Sequence, residues 1–291
     1  MITIHIMGGL GNQLFQIFSC TAIAMDHGLD YKFNCMAYIK DKQHRSKNYL
    51  DSPLYYYFLG WDKEEDEKSH RMLIEDFDKQ FMLVNEPVFS YKPVVLSNKQ
   101  LNYKLYGYYQ SYKYFEKYKN VLFKKLNLPF YKKEVWKKSK LKSSNIISLH
   151  FRIGDYKEIQ DCHPILPNRY YYNAIKHMEK SIENFETTPI LYFYQKGEED
   201  QVEKSIEYLK EFYKNEFIAI DHEFSDWEQL ILMSCCKYNI IANSTFSWWS
   251  AYFNYSPQKK VCYPSVWFGP KLEHDTTDLF PTDWVSISTK K

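Results

Sequence analysis

The sequence contains no apolar run approaching the roughly 18 residues that a membrane-spanning helix needs. Its opening, Met-Ile-Thr-Ile-His-Ile, lacks the basic stretch of a secretory leader and turns to glycine at Gly8. Six cysteines (Cys20, Cys35, Cys162, Cys235, Cys236 and Cys262) form no Cys-x-x-Cys pair and no finger spacing. A metal finger is therefore not expected, and free thiols in a chain of this length imply a reducing compartment. A soluble, cytoplasmic protein is the expectation. There is no Walker-type Gly-Lys-Ser, and Gly9-x-Gly11-x-x-Leu14 lacks the third glycine of a dinucleotide fingerprint. Internal repeats and low-complexity tracts are absent as well.

What is present fits a folded two-domain protein. A chain of 291 residues is long for one core, and 45% apolar residues suffice to fill two. Aromatic residues reach 19%, with 27 tyrosines, whose apolar ring and hydroxyl suit both cores and sugar-binding surfaces. The net charge is only +2, but residues 101–143 carry twelve lysines against Glu116 and Glu134. That local excess of ten leaves about −8 elsewhere. Solvated helix faces explain such a segment, as does peripheral contact with an anionic membrane; Lys and Tyr interleaving also allows nucleic acid.

Thr3–Met7 reads as a strand and Leu14 to His27 as a helix, with Gly8–Gln13 as the turn between them. Glycines there let backbone approach a ligand, and a helix start attracts anions. Residues 40–70 are polar, and Met72–Glu75 reads as a strand leading into Asp76-Phe77-Asp78, an Asp-x-Asp that could hold a divalent metal against a nucleotide diphosphate. From residue 144 strands alternate with helices: strands at 145–149, 189–194, 217–220, 239–242 and 261–263, helices at 168–182, 198–213, 226–236 and from Phe246. That alternation predicts a parallel, doubly wound sheet. Domains of 1–140 and 141–291 follow.

Two stretches carry chemistry. Ile146–Leu149 is the length of a buried strand, and His150, Arg152 and Asp155 leave it where open α/β sheets bind ligands. A planar guanidinium suits capture of phosphate or carboxylate, and an Arg152–Asp155 ion pair is the plainer alternative. Asn243-Ser244-Thr245-Phe246 follows another strand and opens a helix, so its hydroxyls either cap that helix or, with its N–H groups, meet a phosphate. Arg152 with Ser244 and Thr245 would form a diphosphate clamp that stabilises a departing nucleoside diphosphate.

His150-Phe151-Arg152-Ile153-Gly154-Asp155-Tyr156 resembles the His-x-Arg-x-Gly-Asp-Tyr motif of the α-1,2-fucosyltransferases, glycosyltransferase family 11. Gly8–Gln16, Gly107–Phe115 and Asn243–Trp249 are similar to further stretches of that family. The resemblance implies a GT-B fold, two Rossmann-like domains with a cleft between them. It implies inverting transfer of fucose from GDP-fucose to the 2-hydroxyl of a glycan acceptor with terminal galactose, without metal or other cofactor and without a nucleic-acid partner. It further implies that Arg152 neutralises the donor β-phosphate, that Gly9, Gly11, Glu228, Asn243, Ser244, Thr245 and Phe246 bind the donor, that Asn12 faces the reaction centre, and that His150 borders the nucleotide. Asp155 is the candidate general base, with His150 or a water relay as alternatives. The chain departs from the family pattern at Gln229, Tyr238, Ser250 and Tyr194–Asp200, which bears on guanosine contacts. A metal-dependent transferase using Asp76 and Asp78, or a non-enzymatic Lys/Tyr-rich binding protein, are the rival readings.

Overall fold

The computed structural model describes residues 1–33, 81–96 and 101–290. The polar stretch 40–70, the expected strand Met72–Glu75 and the Asp76/Asp78 pair lie outside the described residues. The chain divides into two compact units, Met1–Pro129 with Asp275–Phe280, and Phe130–His274 with Pro281–Lys291.

In the first unit, β1 (Ile2–Ile4), β2 (Phe81–Asn85) and β3 (Asn102–Tyr106) form a parallel sheet in the order β1-β3-β2. β1 is shorter than its sequence suggests, because its pairing with β3 runs only from Ile2↔Tyr103 to Ile4↔Leu105. Helix α1 (Leu10–His27) starts four residues earlier than expected. Glycine and asparagine are poor helix formers, but here tertiary contacts hold the first turn. Gln13 Nε2 donates to the Gly8 carbonyl at 2.9 Å, and Met7 N–H donates to Gln16 Oε1 at 3.0 Å. α1 is buried almost throughout, and Phe18 packs edge-on against Phe115 (5.7 Å). The segment 275–280 returns to this unit: Ser111 Oγ donates to the Asp278 carbonyl at 2.7 Å, and Lys113 ion-pairs with the Asp278 carboxylate.

Helix α2 (Lys119–Lys125) precedes α3 (Leu128–Ser139), nearly all of which belongs to the second unit. The division at 129/130 thus falls within the first turn of α3, where the sequence reading placed it at 140/141. The cause is packing. Tyr131 stacks edge-on against Trp227 at 6.1 Å, and Lys132 Nζ reaches the carbonyls of Ser234 (2.7 Å) and Phe253 (3.0 Å). A cation at two helix C-terminal carbonyls is well placed, and its burial lowers the Lys132 pKa to about 8. Lys113, Lys117, Lys119, Lys132 and Lys138 all bond within the chain, so part of the basic segment is engaged internally.

The second unit holds a six-stranded parallel sheet: β4 (Ile147–His150), β5 (Ile190–Phe193), β6 (Phe217–Ala219), β7 (Tyr238–Ile240), β8 (Lys260–Pro264) and β9 (Val285–Ile287), in the order β6-β5-β4-β7-β8-β9. The intervening helices are α4 (Asn168–Glu179), α5 (Glu199–Lys210), α6 (Asp226–Cys235) and α7 (Thr245–Phe253). The chain enters at β4, winds outward through β5 and β6, then returns to β4's other side with β7. The winding direction therefore reverses between β4 and β7, and ligands in such sheets bind beyond the carboxyl ends at that reversal. The expected strands and helices of this unit are all present; β9 is an addition. Ile147, Leu149, Ile190, Ile240 and Tyr170 lie in its core.

Candidate active site

The two strands at the reversal carry the two chemical stretches. β4 ends at His150, and Gly154–Glu158 forms a single tight helical turn directly after it. β7 ends at Ile240, and Ser244 caps α7 by accepting the Phe246 N–H at 3.3 Å. Thr245 and Phe246 open that helix. Its positive end therefore leaves the same sheet edge as Arg152.

Specific bonds join the two exits. The Tyr156 hydroxyl donates to the Asn243 carbonyl at 2.9 Å, and the Arg152 guanidinium lies 5.1 Å from the centre of the Tyr156 ring. The His150 and Phe246 rings are 5.6 Å apart. Asn243 Nδ2 donates to the carbonyls of Pro164 (2.9 Å) and Trp267 (3.2 Å), which fixes its loop. Three buried atoms at these exits have no hydrogen-bond partner among the described residues: His150 Nδ1, Arg152 Nε and Asn243 Oδ1. Buried polar atoms are ordinarily paired, so this cluster is the candidate place for a polar ligand.

Arg152 Nη2 also bonds Asp155 Oδ1 at 2.5 Å, so the ion pair anticipated from sequence exists together with the ligand-facing position. Asp155 is 64% exposed on its side chain, where a carboxylate partner adds little stability and serves chiefly to orient the guanidinium. His150 is buried; burial, and next the Arg152 charge, lowers its pKa to about 3. An imidazole that takes a proton only near pH 3 is a poor base at neutral pH. His150 is thus a neutral polar group beside Arg152.

Other expected donor residues are placed differently. Glu228 forms a capping box with Ser225 and accepts Lys138 Nζ on both oxygens at 2.8 Å, so its carboxylate is engaged by its own helix and by α3. Gly9 is the N-cap of α1 and Gly11 is buried within its first turn. The glycine that the turn demands is Gly8, at φ 77°, where a Cβ would lie 2.5 Å from Asn12 Nδ2. Asn12 Oδ1 accepts Gln110 Nε2 at 3.0 Å, joining the exits of β1 and β3 in the first unit.

Glu198 escaped notice in the sequence because it stands in an acidic helix start that reads as solvated. It is buried, and its Oε1 accepts the Gly154 N–H, which pins the Arg152 loop to the β5 exit. Burial raises its pKa, with the Gly154 bond opposing. Tyr156→Phe removes the hydroxyl that ties the two exits and keeps the ring under Arg152. It is expected to cost about 1–2 kcal/mol, read as a lower thermal midpoint; an unchanged midpoint would show that this bond does not hold the loops together.

Two units each built on a parallel sheet, the second doubly wound, are the architecture of the GT-B fold. The chain matches the family model of Glycosyl transferase family 11 over residues 63–288. It belongs to that family. The match includes the Gly107–Phe115, His150–Tyr156 and Asn243–Trp249 stretches, whereas Gly8–Gln16 lies outside it. Alpha-1,2-colitosyltransferase of Escherichia coli is 26% identical over 303 residues, covering 99% of each chain. The O-antigen biosynthesis glycosyltransferase WbnK of Escherichia coli is 31% identical over 160 residues, 53% of this chain and 48% of that one. In fold, the chain is similar to the E. coli ADP-heptose lps heptosyltransferase II, with a TM-score of 0.51 at 11% identity, over 98% of this chain and 89% of that one. No helix among the described residues is long and apolar enough to cross a membrane.

Proposed function

We propose that this family 11 enzyme is an inverting, metal-independent transferase that moves L-fucose from GDP-fucose to the 2-hydroxyl of a β-galactoside glycan, in the synthesis of a surface polysaccharide. The observation that carries it is the convergence of Arg152 and the α7 N-terminus on one sheet reversal, bridged by Tyr156 and Asn243. In this reading Arg152, Ser244, Thr245 and the Phe246 N–H serve the diphosphate, and Asp155 orients Arg152 in place of acting as base. His150 and Asn243 border the nucleotide, and Asn12 serves the acceptor side. Inversion needs one displacement: the acceptor hydroxyl oxygen bonds the anomeric carbon and gives up its proton through water as the bond to GDP breaks on the opposite face. Negative charge builds on the leaving diphosphate, and fixed positive groups there lower the barrier.

A second donor is favoured by one observation. A relative that aligns with 99% of the chain is an α-1,2-colitosyltransferase, which supports the α-1,2 linkage and makes nucleotide-activated colitose the competing donor. The test incubates the chain with GDP-fucose or GDP-colitose and a β-galactoside panel in EDTA, then follows GDP release and product linkage. GDP-fucose turnover with an α-1,2 product is expected. Turnover only of the colitosyl donor would replace the donor assignment, and activity that returns only with divalent metal would overturn the metal-independent mechanism. Peripheral attachment at the inner membrane face belongs to the same reading, and absence of anionic-liposome flotation would remove it.

A further inference from the structure

The first unit contains a carboxylate in an unusual place. Glu86 directly follows β2, and its own N–H still pairs with the Tyr106 carbonyl at 2.8 Å. Its side chain turns under the next loop, Gly107–Gln110, at the exit of β3. Oε2 accepts the Tyr108 N–H at 2.8 Å, and the neighbouring Tyr109 N–H lies close enough to favour the charged carboxylate. Oε1 is buried and has no hydrogen-bond partner among the described residues.

The loop it holds is strained. Tyr109 is fully buried and left-handed, with φ 52°, a conformation that a bulky side chain adopts only when its surroundings impose it. Gly107 has φ 153°, and a Cβ there would meet the Glu86 side chain. Further contacts fasten the turn: Gln16 Nε2 on the Gly107 carbonyl at 3.2 Å, Ser19 Oγ on the Tyr109 carbonyl at 3.2 Å, and the Tyr109 hydroxyl on the Val84 carbonyl at 3.3 Å. The next residue is Gln110, whose amide meets Asn12.

We propose that Glu86 is a positioning residue for the acceptor side: its charged carboxylate braces the strained Gly107–Gln110 turn so that Gln110 is presented to Asn12. The inference rests on the glycosyltransferase reading above, with Asn12 on the acceptor side. An ionised carboxylate accepts N–H bonds more strongly than a neutral acid. Burial raises the Glu86 pKa to about 7, against the Tyr109 and Tyr108 N–H groups that lower it. Among the described residues the titratable groups that face it are the Tyr109 and Tyr114 phenols, which are neutral around pH 7 and pushed further up by burial. The charged brace is therefore present above neutrality and lost as pH falls through about 7.

Glu86→Gln keeps the size and an acceptor oxygen but not the charge, so it separates the brace from simple filling of space. Two measurements judge it. Amide resonances of Tyr108 and Tyr109 are expected to titrate together near pH 7 in the wild type and to stay flat in Glu86→Gln. In transfer assays between pH 6 and 8, the wild type is expected to lose acceptor kcat/KM on the acidic side. Glu86→Gln is expected to lack that limb and to show an acceptor KM raised roughly three- to tenfold, with GDP affinity unchanged. Amides that titrate identically in the variant, or an acidic limb that persists in it, would overturn the proposal. So would equal losses of GDP affinity and acceptor KM, which a general fold defect produces. A wild type that neither binds GDP nor transfers sugar would instead sink the transferase reading, while the amide titration still decides the brace.

Discussion

Arg152→Ala is expected to lower the transfer rate roughly 10²–10³-fold, an effect of about 3–4 kcal/mol on the transition state. The reasoning follows the charge. The guanidinium lies at the strand exit where the sheet reverses, stacked on Tyr156, with Nε buried and without a partner among the described residues. In the proposed reaction negative charge grows on the diphosphate as its bond to sugar breaks, so a fixed cation there helps the transition state more than the bound donor. Arg152→Lys retains a charge but not the planar fork, and is expected to recover only part of the rate. The fold is expected to survive both changes, since its ion-pair partner among the described residues, Asp155, is largely exposed. Steady-state kcat with GDP-fucose measures the effect. A rate within about threefold of wild type, far short of the loss a removed transition-state donor causes, would remove Arg152 from the chemistry.

The second large effect is on stability. Trp248 in α7 is fully buried; it stacks on Tyr252 at 4.9 Å and packs against Trp249 (5.2 Å) and Trp284 (5.4 Å). Trp248→Ala leaves a cavity among rings that cannot collapse together, which costs about 3–5 kcal/mol. For a unit of this size that lowers the thermal midpoint by on the order of 10 °C. Because α7 carries Ser244, Thr245 and Phe246 to the site, GDP affinity is expected to fall as the unit loosens. A midpoint within about 2 °C of wild type would mean that the helix start is held by something other than this aromatic core.

The second unit was readable because its strands are short apolar runs separated by helices of amphipathic spacing. Only β9 was missed, three residues set between Trp284 and a polar tail at the sheet's outer edge. The first unit was harder. β3, Asn-Tyr-Lys-Leu-Tyr, does alternate, with Tyr103 and Leu105 inward, but it offers no apolar run and stands at the start of a lysine-rich segment. β2 leaves Met82 and Leu83 exposed and so lacks the inward pattern of a strand. At the site, residue types left ion pair and phosphate capture open for Arg152; the structure shows the ion pair, with Nε buried and without a partner among the described residues. Gln110 stood only as one residue of the Gly107–Phe115 resemblance, and Glu86 carried no signal, since the turn it bonds is distant in sequence. Glu228, named through the family resemblance, has a carboxylate that here meets Lys138 and caps its own helix.

The central claim, that the strand exits of the second unit hold a nucleoside diphosphate through Arg152 and the α7 start, is tested most directly by calorimetric titration of GDP in EDTA. The wild type is expected to bind, and Arg152→Ala to bind at least about tenfold more weakly, as loss of a charge-assisted pair predicts. Equal GDP affinity in the two proteins, or no GDP binding by the wild type, would contradict the account.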